Sequence, residues 1–332
     1  AIGIIIATIG LSLGVLTSEM FTIIVVMAIV TSLVAPTALR FCLARVEPEA
    51  EEERRLAKER ALQGSFIAGL RRVLVPVRPR TAQAGTQVIQ AALVGRLALT
   101  KEMSTTLMAI ADSAGRSLAT EYLRRLRGLF ASPGTTARVV SSKDPVQAIL
   151  REAEADYDLL VIGTPTLSQS PDSLFGPVID DLIRLAQSPT LVVRGDDVDE
   201  DWAPTRIVVP LNGTPSSRNA ADLALAIAGP HSVVTGVHIV APARYASLRT
   251  ELASEVTADL EVTAADLGQQ VQTEVREADD IESGVLAAVE ELDADLLILG
   301  TSVRAGTTSL HLGPRVEHMT RLARCPVVIL NT

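Results

Sequence analysis

Apolar and polar residues are patterned in two different ways along this chain. Residues Ala1 to Leu16 carry no charge, and after Ser18-Glu19 the run from Phe21 to Leu39 is again uncharged and rich in Ile, Val, Ala, Met and Leu. From Arg72 onward, short β-branched runs instead take turns with amphipathic stretches, and the same order appears twice. Each copy opens on a strand ending in Pro-Val or Pro-Leu: RVLVPV (Arg72 to Val77) and RIVVPL (Arg206 to Leu211). The periodicity then predicts a helix (Gln87 to Leu99; Ser216 to Ala228) and a second strand (Thr105 to Ala111; Val233 to Val240). A long helix follows (Ser113 to Leu129; Ala246 to Leu267), then a third strand (Ala137 to Ser141; Val271 to Val275) and a further helix. Both copies close on nearly the same words. DYDLLVIGT (Asp156 to Thr164) parallels DADLLILGT (Asp293 to Thr301), and Gly163, Gly176, Arg184 and Pro189 recur 137 residues later as Gly300, Gly313, Arg321 and Pro326. A register held that strictly marks an internal repeat.

Strands that are continuously apolar and alternate with helices belong to a parallel sheet covered on both faces. The expected fold class is therefore α/β: two tandem five-stranded doubly wound parallel-sheet domains, at 71–196 and 204–332. Such sheets bind ligands beyond the carboxyl ends of their strands, which directs attention to the tips after Val77, Gly163, Leu211 and Gly300.

The N-terminal runs predict a transmembrane helical hairpin ahead of these domains. About 19 residues before Arg40 give ~28 Å of helix, close to the hydrocarbon thickness of a bilayer. Arg40 and Arg45 follow that run, so the positive-inside bias implies a multi-pass protein of the cell membrane with its C-terminal domains cytoplasmic. On this reading residues 1–46 are the end of a membrane domain, one truncated and one complete helix, and most of that domain lies upstream. A secretory signal peptide is a rival reading, against which stand the missing initiator Met and basic n-region. A buried hairpin outside any membrane is another. Residues 47–70 form a charged linker, with Glu51, Arg55 and Glu59 at i,i+4 spacing on a solvated helix.

Composition narrows the chemistry. The 332 residues suffice for two or three domains. A hydrophobic fraction of 48% beside 21% charged residues requires the uneven distribution just described. Only 3% of residues are aromatic and the net charge is −9, which argues against a base-stacking surface and a nucleic acid partner. Cys42 and Cys325 are too few and too distant for a disulfide framework or zinc site. His231, His238, His311 and His318 lack the helical spacing and third ligand that a metal needs. No Gly-x-Ser-x-Gly elbow is present, so hydrolase chemistry has no support, and no enzyme is expected.

Both copies resemble universal stress protein domains, whose pattern is a first strand ending Pro-Val-Asp-Gly-Ser and a late strand ending Gly-x-x-Gly, about nine residues, then Gly-Ser. The resemblance covers about Arg71 to Arg194 and Thr205 to Leu330. The stretch MFTIIVVMAIVTSLVAPTALRFCL (Met20 to Leu43) resembles the last membrane helices of monovalent cation:proton antiporters of the sodium/hydrogen exchanger type.

In nucleotide-binding members of the stress protein family the glycines let backbone N–H groups approach phosphates. Both copies depart from that pattern. Gly163 and Gly176 are kept in the first, with Thr166 and Pro177 in place of the second glycine and the serine. Gly300 and Gly313 are kept in the second, with Val303 and Pro314 at those positions. Proline removes both an N–H donor and a hydroxyl, which lowers phosphate affinity. The first-strand tip is Arg78-Pro79-Arg80 in copy one and Asn212-Gly213-Thr214 in copy two. Asn212 can accept a hydrogen bond, whereas Arg78 cannot. Copy two is therefore the better ligand candidate, with Arg304 as a nearby cation, and the implied cofactor is ATP or another adenine nucleotide.

Taken with the two resemblances, the expected function is the regulatory tail of a cation:proton antiporter, sensing a nucleotide or partner. The alternative is a membrane-anchored stress-protein-type binding protein without transport activity. The partners implied are a lipid bilayer, an upstream antiporter membrane domain, and either a homodimer or an intrachain pseudo-dimer through the edges near Pro189 to Arg194 and Pro326 to Leu330.

Overall fold

Among the described residues ten strands, apolar at the centre and polar at the edges, join into one sheet. The computed structural model describes residues 11, 13, 15–27, 30, 66–80, 85–100, 102–130, 134–164, 166–168, 173–195, 197–240, 257–258, 260–265, 269–303 and 310–332. The chain divides into two compact units, Ala1–Leu56 and Ala57–Thr332.

In the first unit residues 18–27 are helical, and the Thr17 hydroxyl accepts from the Met20 N–H at the start of that helix. Among the described residues no helix is long and apolar enough to cross a membrane. This corrects the expected transmembrane hairpin: an uncharged Ile/Val/Ala run states composition alone, and residues 28, 29 and 31–65 lie outside the described residues. The charged linker at 47–70 also lies there except for its last residues, where Phe66–Gly69 make a single helical turn that buries Ile67.

The second unit holds both repeats. The first repeat runs β1 (Arg72–Val77), α1 (Gly85–Thr100), β2 (Ser104–Ile110), α2 (Arg116–Leu129), β3 (Thr135–Val140), α3 (Pro145–Ala153), β4 (Leu159–Thr164), α4 (Pro177–Leu185) and β5 (Thr190–Arg194). The second runs β6 (Arg206–Pro210), α5 (Pro215–Ile227), β7 (Val233–Val240), β8 (Gln270–Glu277), α6 (Ile281–Glu291), β9 (Leu296–Thr301), α7 (Pro314–Leu322) and β10 (Val327–Asn331). Of the long helix expected over Ala246 to Leu267, residues 257–258 and 260–265 are described and are helical.

The strand order is β3-β2-β1-β4-β5-β10-β9-β6-β7-β8, parallel within each repeat. Only the central pair is antiparallel, Val327 opposite Arg194 through Asn331 opposite Thr190. Each copy is thus a doubly wound domain. Of the two pairings considered for their free edges, the chain makes the intrachain one. The sheet separates two apolar layers: α1, α2 and α5 cover one face around Leu93, Leu123 and Leu223, and α3, α4, α6 and α7 cover the other around Ile149, Leu182, Val285 and Met319. Central strands such as Leu159–Ile162 and Leu296–Leu299 are buried on both sides, which is why they read as unbroken apolar words. The outer edges are β3 and β8; β8 alternates Gln270, Gln272, Glu274 and Arg276, and its charges discourage strand addition.

The repeated Asp-x-Asp words act at the amino ends of the strands. Asp156 and Asp293 take left-handed backbone, with φ of 64° and 47°. Two residues on, the Asp158 carboxylate accepts from the Arg71 and Arg72 N–H groups at 2.8 Å each, and Asp295 does the same for Thr205 and Arg206. Each pair ties the start of β4 or β9 to the start of the strand beside it. The most conspicuous part of the repeat is therefore structural, at the end of the sheet away from the ligand-binding tips.

Candidate functional site

At the carboxyl end of β6 the chain turns sharply into α5. The Leu211 N–H donates to the Val237 carbonyl at 2.8 Å, holding the strand one residue beyond its end. Gly213 then takes φ +75°, a conformation that disfavours side chains. The Asn212 Oδ1 accepts twice, from the Thr214 N–H at 3.0 Å and the Thr214 hydroxyl at 2.6 Å. Thr214 in turn is the N-cap of α5: its Oγ1 accepts from the Ser217 N–H at 3.3 Å, and Pro215 supplies the first helical residue.

β9 brings the second part of the site against that same helical turn. A Cβ on Gly300 would lie 2.0 Å from the Ser216 carbonyl oxygen, so only glycine lets the strand approach so closely. Asn212, Gly213, Thr214 and Gly300 are thereby gathered around the first turn of α5. Beyond Gly300, the Thr301 hydroxyl donates to the Leu312 carbonyl at 3.0 Å and the Val303 N–H donates to the Asn331 Oδ1 at 2.8 Å. Those two bonds tie the β9 tip to the start of α7 and to the last strand. Gly313 is the N-cap of α7 with φ 95° and ψ 143°, backbone that is nearly reserved for glycine, although open space surrounds the place of its missing Cβ. Arg304 lies outside the described residues.

The equivalent place in the first domain is built differently. Arg78, Pro79 and Arg80 form the β1 tip; none of their side chains accepts a hydrogen bond, and Pro79 offers no N–H. Gly163 faces side chains of α1, where an added Cβ would meet Gln90 Oε1 at 2.7 Å and Thr86 Cγ2 at 2.8 Å. Gln90 Nε2 donates to the Val161 carbonyl at 3.3 Å, and the Thr86 hydroxyl donates to the Gly195 carbonyl at 2.5 Å. Ahead of α4, Gly176 has φ 105° and ψ 154°, and its N–H donates to the Ser173 hydroxyl at 2.9 Å. The buried Asp180 carboxylate accepts from the Leu174 N–H (3.1 Å), the Phe175 N–H (3.0 Å) and the Ser173 hydroxyl (2.6 Å). Three consecutive N–H groups are thus engaged within the loop itself. In the second domain Glu317 plays the corresponding part for the Leu312 N–H at 3.2 Å.

Sequence reading missed these carboxylates, although an acidic residue in the first turn after Gly-Pro signals such a cap. It also missed Arg194, whose Nη1 crosses between the domains to the carbonyls of Ala323 (2.8 Å) and Cys325 (3.2 Å) at the end of α7. Burial pulls the Arg194 guanidinium below its ordinary range. Burial also pushes the Cys325 thiol up to about 11, so it remains protonated and unreactive near neutral pH. His238 is turned to the Leu211 carbonyl, Nδ1 to oxygen 2.7 Å. Among the described residues no group of three or more His, Cys, Asp or Glu could hold a metal ion.

Paired doubly wound domains with glycine-shaped turns at the carboxyl ends of their strands define a class of α/β proteins by architecture. The chain belongs to the universal stress protein family, which matches residues 43–194 and 204–331. A universal stress protein from Archaeoglobus fulgidus DSM 4304 superposes with a TM-score of 0.56 at 16% identity, over 78% of this chain and 97% of its own. A protein of unknown function from Pseudomonas aeruginosa PAO1 gives 0.54 at 16% identity, over 80% and 94%. A universal stress protein family protein from Arabidopsis thaliana, solved with AMP bound, aligns over 39% of this chain and 92% of its own at 15% identity, with a TM-score of 0.31. At these identities the likeness is one of fold. No curated protein matches the sequence.

These findings overturn the antiporter reading. The family match begins at residue 43, where the stretch likened to a last membrane helix ends, and among the described residues no helix is long and apolar enough to cross a membrane. The regulatory-tail function, the upstream antiporter domain and bilayer as partners, and the multi-pass membrane location go with it. The membrane-anchored alternative also falls, since no described helix is long and apolar enough to serve as the anchor.

Proposed function

We propose that this chain is a small-ligand receptor in which the second domain binds a nucleotide and the first serves as its paired scaffold. One observation carries the reading. In the second domain Asn212, Gly213, Thr214 and Gly300 converge on the first turn of α5, with the exposed Asn212 contributing Nδ2 as a donor, while Gly313 opens α7 across the β9 tip. In the first domain the loop before α4 satisfies its own N–H groups, and the β1 tip has only cationic side chains and a proline. Helix amino ends favour anions, and the phosphate of a nucleotide suits the start of α7 even with Pro314 at its first position. Gly163 and Gly176 then serve as packing and turn residues.

The test is calorimetric titration of ATP, ADP, AMP, GMP, IMP and cyclic nucleotides into the full chain. One saturable site per chain, weakened by Asn212→Ala and indifferent to Arg78→Ala, is the expected result. Absence of saturable heat with every nucleotide, or two equal sites, overturns it.

A further inference from the structure

The Asn212 side chain has already used its acceptor. A side-chain amide carries one carbonyl oxygen with two lone pairs and one NH2 group with two donors. Here Oδ1 takes both the Thr214 N–H and the Thr214 hydroxyl, at 3.0 and 2.6 Å. The orientation of the amide is fixed by chemistry, because a backbone N–H can only donate and must face oxygen. The hydroxyl direction is fixed too, since an amide oxygen can only accept and Thr214 must give it the proton, while its Oγ1 accepts from the Ser217 N–H at 3.3 Å. Asn212 is exposed, and its Nδ2 has no partner among the described residues. Anything that reaches the Asn212 side chain therefore meets its Nδ2 donors and not its oxygen.

Purine bases differ at this point. An asparagine reads adenine by accepting from the N6 amino group while donating to N7, which needs both halves of the amide. A keto-purine offers two acceptors on the same edge, O6 and N7. We infer that Asn212 makes the second-domain site select ligands presenting a carbonyl acceptor, keto-purine nucleotides such as GMP and IMP, over adenine nucleotides. This rests on the nucleotide reading above and runs against the adenine nucleotide implied by the resemblance. An adenine base can take Nδ2 only at a ring nitrogen, and its N6 amino group is left without the acceptor that Asn212 has already spent on Thr214.

Asn212→Asp reverses the free atom without removing the turn. A carboxylate still accepts both Thr214 bonds through one oxygen, and its other oxygen replaces the NH2 with an acceptor. Titration of GMP, IMP and AMP into the full chain and the N212D variant reads the outcome directly. The expected result is about tenfold tighter binding of GMP and IMP than AMP by the native chain, as one matched hydrogen bond gives, and loss or inversion of that ratio in N212D. Equal or tighter AMP binding by the native chain overturns the inference, as does an unchanged ratio in N212D. Failure of all three ligands and of every other nucleotide instead overturns the nucleotide reading itself, so the two failures are distinct.

Discussion

The two domains share a fold and a register but differ in what their equivalent glycines face. Gly163 lies against the ends of Gln90 and Thr86, side chains that can move, whereas Gly300 lies against the Ser216 carbonyl in the backbone of α5. The first domain keeps its sheet and helix apart with buried polar side chains; the second lets strand and helix backbones touch. The close contact draws the β6 and β9 tips onto one helical turn, and it is the second domain that gathers the candidate site. A duplicated sequence can therefore preserve a glycine for two different reasons.

The largest expected effect sharpens that contrast. Gly300→Ala should destabilise the protein by roughly 3 kcal/mol or more, because backbone must shift, while Gly163→Ala costs about 1 kcal/mol, because side chains can yield. Urea unfolding midpoints of the two variants measure the difference, and equal losses would break the comparison. Next in size is the pair Arg194 and Asn331, which occupy equivalent positions. Arg194 bonds across the domain boundary, and Arg194→Ala leaves two carbonyls at the end of α7 without their donor, a loss of about 1 to 3 kcal/mol in the same assay. Asn331 instead holds the Val303 N–H inside its own domain, so Asn331→Ala should weaken ligand binding more than stability. The smallest effect concerns Tyr122, whose hydroxyl is buried without a hydrogen-bond partner among the described residues and whose ionisation is pushed up by that burial. Tyr122→Phe should leave stability unchanged or raised within about 0.5 kcal/mol; a loss above about 1 kcal/mol would mean that the hydroxyl has a partner in solution.

Much of the sheet was legible in the sequence. The strand read at Val233 to Val240 has those ends in the structure, and the helices read at Gln87 to Leu99 and Ser216 to Ala228 are observed within two residues. Continuous burial writes continuous apolar words, and a duplicated register repeats them. The edge strands were less clear: Thr135–Val140 and Gln270–Glu277 have no fully buried residue, and the pattern set the first two residues late at its start and one past its end and the second short at both ends. The site was legible as residue types and illegible as bonds. Nothing in Asn212-Gly213-Thr214 says that the threonine takes both lone pairs of the asparagine, and nothing in Asp180 or Glu317 says which N–H groups they hold. Those facts depend on where α4, α5 and α7 begin, to within a single residue. The N-terminal apolar runs misled for the opposite reason, since composition alone was made to carry a topology.

The antiparallel pairing of β5 with β10 joins two halves of a single polypeptide, with residues 195–205 running between them. Two such domains on separate chains would part on dilution, and their fraction paired would follow the amount of protein present. Tethering replaces that dependence with an effective local concentration on the order of millimolar for a short connection. The pair consequently stays assembled at any abundance, so the joint between the domains is independent of how much of the protein is present.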